Sequence, residues 1–212
     1  MTTENDWLTR RTGVPPTVPP AERLSPKSVL DEATRPVAPE PPPEITFPHR
    51  GRYVGQHLVD VHDHYRAELR QVRDILQQVR EGATQVGDAR DQLNMMTIRA
   101  NDWTLGGVCQ AHCRSVANHH TMESQAIFPH LRRSQPDLAA VLDRLHEEHL
   151  AIHEVLEGID AALVHLARNP TDHGPITEAI DLLTDTLLSH FAYEEAQLIG
   201  PLARHGFYPG QV

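Results

Sequence analysis

Four stretches of the 212-residue chain carry apolar residues at steps of three and four, and in each of them histidine stands in line with the apolar residues. Steps of that kind place side chains on one stripe of a helix, so most of the chain is committed to helices that bury one face against each other. The first stripe is Leu58, His62, Tyr65, Leu69, Val72, Leu76 and Val79. The second is Leu105, Val108, His112, Val116, His119, Glu123 and Ile127, with Gly106 and Gly107 interrupting it. Leu138, Leu142, Leu145, His149, Ile152, Leu156, Ile159, Leu163 and Leu166 form the third, and Ile176, Ile180, Leu183, Leu187, His190, Glu194 and Leu198 the fourth. Short connections and the lack of any strand pattern predict an all-α fold, an antiparallel up-down four-helix bundle over residues 51–205, with a short tail over 206–212.

The punctuation agrees. Gly82 is the expected end of the first helix, and Asp88 the expected N-cap of the second. Asn169-Pro170 ends the third, and Pro201 and Gly206 close the fourth. His62 lies about 20 residues from the end of its helix and His119 about 30 from the start of its own. At about 1.5 Å per residue the two are not level in straight antiparallel helices. A kink, break or overhang is therefore expected between Thr97 and Gly107.

Residues 1–50 differ in kind. They hold eleven of the seventeen prolines and few large apolar residues, a composition that predicts a disordered or extended arm able to carry a segment for a protein partner. The net charge of -10 offers no basic field for nucleic acid or anionic lipid. With no apolar run of membrane length and no signal peptide at the start, the expected location is cytoplasmic. Two cysteines, Cys109 and Cys113, cannot make a disulfide framework, and their i, i+4 spacing on one helix suits a bond poorly.

The fifteen histidines are what composition leaves to be explained. His119 and Glu123 form an HxxxE pair that recurs seventy-one residues later as His190 and Glu194, and at matched offsets Ile127-Phe128 and Leu198-Ile199 follow. An i, i+4 pair shares one helix face, and an imidazole buried among leucines without a partner costs a few kcal/mol. His62 near the start of its helix, His119 near the end of its own, and His149 opposite His190 come to one level in an up-down bundle. The candidate metal ligands are then His62, His119, Glu123, His149, His153 one turn on from it, His190 and Glu194. Five imidazoles and two carboxylates exceed what one tetrahedral zinc takes and suit two octahedral iron ions with bridging carboxylates. His64 is the alternative to His62, two residues out of the stripe. His120, next to His119, is expected to point away, and Tyr65 either to fill the core or to donate to a bound ligand. His112 with Cys109 and Cys113 suits a redox or relay role less well than quiet packing. His49, His57, His130, His146, His165, His173 and His205 are expected at the surface or at helix caps.

The order H, HxxxE, HxxxH, HxxxE over four helices resembles the hemerythrin family in its HHE cation-binding form. The likeness covers roughly residues 55–202, and HHTMESQAIFPHL and EEHLAIH are similar to the family's second and third helix segments. It implies a non-haem di-iron centre, oxo- or hydroxo-bridged, that takes O2, nitric oxide or peroxide. Hemerythrins proper close the fourth helix with HxxxxD. This chain offers Glu194 at the fourth offset and Glu195 at the fifth, and Glu194 is preferred because it repeats the second-helix spacing within the stripe. The expected function is binding of O2 or nitric oxide for sensing, scavenging or storage. The alternatives are an enzyme acting on peroxide or nitric oxide and a regulatory module docking a partner. Deleting residues 1–45 is expected to leave the metal chemistry intact.

Overall fold

The computed structural model describes residues 6–84 and 91–212, with side chains described for 7–81 and 105–212. Helix α1 spans Asp6–Thr12, α2 His49–Thr84, α3 Asp91–Met122, α4 Phe128–Ser134, α5 Ala139–Arg168 and α6 Gly174–His205. No strand occurs among the described residues, and none of their helices is long and apolar enough to cross a membrane. Asp88, the expected N-cap, lies outside them.

The four long helices pack in a ring, α2 touching α3 and α6, and α5 touching the same two. Gly55 faces Ile199, His62 bonds Glu195 and Arg73 bonds Asp181, so α2 and α6 run in opposite senses. On the other side of α2, His62 meets His119, Tyr65 meets Ser115 and Glu68 meets His112. Gly51 and Gly55 allow the closest approach: a Cβ at Gly51 would overlap the Ala203 carbonyl, and one at Gly55 would stand 3.1 Å from the Ile199 oxygen.

Every residue of the first, third and fourth stripes is buried except Leu163, which is half-buried. The apolar side chains form two main clusters. One holds Leu69, Leu105, Ile152, Ile180 and Leu187, the other Leu58, Phe128, Leu142, Leu145 and Leu198. Along α2 the order is Leu58, His62, Tyr65, and along α5 it is Leu145, His149, Ile152, so the histidines form a polar layer between two apolar ones.

Two expectations are corrected. Of the kink, break or overhang expected between Thr97 and Gly107, the break is corrected: α3 is continuous there, and it extends further beyond the His62–His119 level than α2 does, as an overhang, while a π-helical turn stands at Glu123–Ile127, where the Phe128 N–H reaches the Glu123 carbonyl. A wider turn there suits Pro129, whose ring would crowd the carbonyl four residues back in a regular helix. Pro201, for its part, stands inside α6, which continues to His205.

The proline-rich arm is extended over much of its length, but its described residues are docked rather than disordered. Leu8 and Val14 pack with Val59 and Ile199, and Phe47 and Leu30 are buried. Asp185 accepts from the Leu24 and Ser25 amides at 2.8 Å, Gln197 accepts from the Ala38 amide at 2.6 Å, and the Tyr193 hydroxyl donates to the Pro36 carbonyl at 2.8 Å. Arg11 closes the arm on itself by donating to the carbonyls of Pro41, Pro42 and Ile45. Composition misleads here because the prolines that remove donors also reduce the entropy lost on ordering, and α6 supplies side-chain acceptors for the amides that remain.

Candidate metal centre

Where the four long helices come level, two groups of donors face each other. His62, His119, Glu123 and Glu194 make one and His120, His149 and His190 the other, and in each the candidate ligand atoms lie within 4.8 Å of one another. The two carboxylates span the groups. Glu123 has Oε1 at 3.2 Å from His119 Nε2 and Oε2 at 3.6 Å from His149 Nε2. Glu194 Oε2 lies 3.4 Å from His62 Nε2 and 3.7 Å from His190 Nε2. Each HxxxE pair therefore ties its own helix to a neighbour.

Behind the inner ring the far sides of the imidazoles are held by polar partners. Glu195 meets His62 Nδ1 at 2.9 Å, receives Arg66 at 2.7 Å, and takes the Thr17 amide at 2.7 Å on its other oxygen. Glu148 meets His190 Nδ1 at 3.0 Å and is gripped by both ends of the Arg35 guanidinium, at 2.7 and 3.0 Å. Ser124 Oγ bonds His149 Nδ1 at 2.9 Å. A carboxylate on Nδ1 fixes that nitrogen as the donor and leaves Nε2 with a free lone pair directed inward. Stacking adds rigidity, with Phe191 on His62 at 4.2 Å and His120 on His149 at 4.1 Å.

The inner atoms have no such partners. Glu123 Oε2, both Glu194 oxygens and the Nε2 atoms of His120, His149 and His190 are buried without a hydrogen bond. Leaving that many polar atoms unsatisfied costs about 1–3 kcal/mol each, and a cation at their meeting point removes the cost. The electrostatics agree. Burial, aided by the neighbouring imidazoles, drives His120 and His149 well below the usual histidine range. Burial also takes His119 down to about 3. These rings are thus neutral and able to ligate at physiological pH. Burial and the facing Glu194 push the Glu123 carboxyl well above its usual range, as expected of two carboxylates that share one site. The ion pairs of Glu123 and Glu194 are with imidazoles.

Six of the seven residues expected from spacing converge, namely His62, His119, Glu123, His149, His190 and Glu194. The seventh, His153, does not. Its side chain is 63% exposed, and its ion pair is with Glu157 on the outside of α5. His120, expected to point away, takes the fifth imidazole position. Glu194 is the inner carboxylate and Glu195 the outer one, and His64 is exposed. Tyr65 is buried, with its hydroxyl donating to the Ser115 carbonyl at 3.3 Å and its ring 5.1 Å from that of His119. His112 bonds Glu68 at 2.9 Å, and burial raises the Cys109 and Cys113 thiols to about 12 and 11, which makes them unreactive. His130 is buried, and its ring bonds the His205 carbonyl at the end of α6, a capping role.

Sequence comparison points the same way. The family model for the hemerythrin HHE cation binding domain matches residues 54–203, a span that includes every inner donor. No curated protein and no solved structure matches the chain.

Proposed function

The chain belongs to the hemerythrin HHE cation-binding family, and we propose that it is a non-haem di-iron protein binding O2 or nitric oxide at an open coordination position. On this reading the ring of long helices is the antiparallel up-down four-helix bundle of the family. The observation that carries it is the set of buried, unpartnered donors held between two apolar layers. His120, His149 and His190 would hold one ion and His62 and His119 the other, with Glu123 and Glu194 lying between the two groups.

Imidazole with carboxylate is the donor mixture that non-haem iron takes. A pair of ferrous ions supplies the electrons with which such a gas is bound reversibly. Octahedral ions take about six donors each, and these seven side chains supply fewer than two such ions need. The group with two imidazoles would leave more of its ion's positions to a gas. Glu195 and Glu148 keep the Nε2 lone pairs of His62 and His190 directed inward, and the Phe191 ring over His62 excludes water from that flank.

Size also supports a gas. The inner donors are almost wholly buried, which suits a ligand of a few atoms. A cleft of about 370 Å³ between α3 and α5 runs to the edges of His120 and His149. Sensing, scavenging and storage all fit reversible binding of this kind. The test is metal analysis with optical spectra of the whole chain, reduced without oxygen and then exposed to O2, nitric oxide or azide. Two iron ions per chain and ligand-dependent bands are expected. Less than one iron after anaerobic reconstitution, or zinc alone, would overturn the proposal. Peroxide consumption well above that of free iron would place the protein among enzymes instead.

A further inference from the structure

We infer that the N-terminal arm is a working part of the metal centre, with Arg35 as a positioning residue for the ion held by His120, His149 and His190. This rests on the di-iron reading above. The arm reaches the outer ring at two points. The Arg35 guanidinium makes a two-pronged bond to Glu148 while Nη1 donates to Ser189 at 3.0 Å, and Glu148 in turn meets His190 Nδ1. The Thr17 amide bonds the oxygen of Glu195 that Arg66 and His62 leave free.

Each of the two outer carboxylates therefore has one partner from the arm and one inner histidine, and the two histidines belong to different groups. The supports are not equal. Glu195 keeps Arg66 from α2 whether or not the arm is in place. Among the described residues the cation paired with Glu148 is Arg35, so His190 depends on the arm more than His62 does.

The chemistry of the clamp is specific. The Arg35 guanidinium presents two N–H groups to the two Glu148 oxygens, and the oxygen that takes Nη2 is also the one that meets His190 Nδ1. A charged Glu148 fixes the His190 ring with Nδ1 as donor and strengthens Nε2 as a ligand. Planar, forked geometry is what arginine supplies and lysine does not. The Arg35 guanidinium also stacks over Tyr193 at 4.6 Å, and the Tyr193 hydroxyl holds the next carbonyl of the arm, that of Pro36. The arm is thus tied to α6 on both sides of the clamp. Loss of this carboxylate's partner should cost about 10- to 100-fold in affinity at one ion and leave the other nearly unchanged.

The experiment uses the full chain as wild type, Arg35→Gln, Arg35→Lys, Glu148→Gln and, as an arm control, Lys27→Gln, whose exposed ammonium meets Glu178 on α6 away from the clamp, each loaded with iron and separately with Co²⁺. Wild type and the Lys27 variant should hold two ions. The Arg35→Gln variant should fall toward one ion per chain and lose that ion to a chelator about 10- to 100-fold faster, with Arg35→Lys intermediate. In the Co²⁺ forms the exchangeable Nδ1–H signal of His190 should exchange faster with solvent while that of His62 is unmoved, a difference that a general loss of folding does not produce. If Arg35→Gln fails to fold, Glu148→Gln, which keeps the shape and weakens the grip, must show the same selective loss. Two ions released at the wild-type rate from a folded variant would overturn the inference and leave the di-iron reading standing. A wild-type chain that takes up neither metal would sink both.

Discussion

His120 and His153 exchange the positions that spacing assigns to them, and the reason is the geometry of a ring of helices. A single stripe per helix assumes one inward direction, and by that rule His120, about 100° round from His119, faces out. In the ring α3 has two neighbours, α2 and α5, set roughly a quarter-turn apart. Consecutive residues can then both be inward, His119 toward α2 and His120 toward α5, where it stacks on His149. His153, one turn beyond His149, reaches the rim of the cleft. Replacing His120 by Ala should therefore lower the iron content from two toward one, whereas His153→Ala should hold wild-type iron. Metal analysis of the two variants side by side decides it, and equal losses would return His153 to the ligand set. The remaining six positions were legible because each lies in a stripe or forms an HxxxE pair. Glu148 and Glu195 were not, since a carboxylate on the far side of a ligand follows no stripe.

Helix α6 shows how an element can announce a covering that stripe counting misses. From Ala196 to Ala203 the sequence is Ala-Gln-Leu-Ile-Gly-Pro-Leu-Ala, with no charged residue on any face. A helix apolar all round belongs inside. The neighbouring helices α2, α4 and α5 and the arm supply that inside, and the arm's own composition, which reads as solvated, gives no sign of it. The π turn was equally hidden: both Ile127 and Phe128 are buried, yet no sequence period distinguishes a five-residue turn from a four-residue one. The close approach of α2 to α6 gives a test at this scale. Gly51→Val must push α2 away from the Ala203 carbonyl and should cost about 1–3 kcal/mol or more. Gly107, exposed within α3 with nothing near its absent Cβ, should accept Ala and gain about 0.5–1 kcal/mol. Denaturant titrations of the two variants should move in opposite directions, and a neutral Gly51→Val would show that the two helices are free to separate.

For the whole molecule, placing the polar layer between two apolar ones ties stability to acid and to metal. In the metal-free chain His119, His120, His149 and His112 all have their ionisation lowered, by burial above all. A group lowered in this way takes its proton more readily when unfolded, so its contribution is present above pH 6.5 and is lost as pH falls toward its folded value. For His119 the fall to about 3 corresponds to roughly 5 kcal/mol at about 1.4 kcal/mol per unit. Glu148 and Glu195, both held below the ordinary carboxylate value, add a further loss below about pH 4.5. His62 and Glu123 are shifted upward and act in the opposite sense, stabilising the fold more as pH falls, while Glu194, lowered to about 2 by the imidazoles of His62, His190 and His149, joins the groups whose contribution is lost in acid. The metal-free protein should therefore lose stability steadily from pH 6.5 downward. Bound metal adds stability by mass action and keeps the ligands unprotonated, so the loaded protein should hold its melting temperature to lower pH and then drop sharply where the ions leave. Thermal melts of the two forms at half-unit steps from pH 7.5 to 3.5 measure both curves. Parallel curves would mean that the buried imidazoles are not what the metal meets.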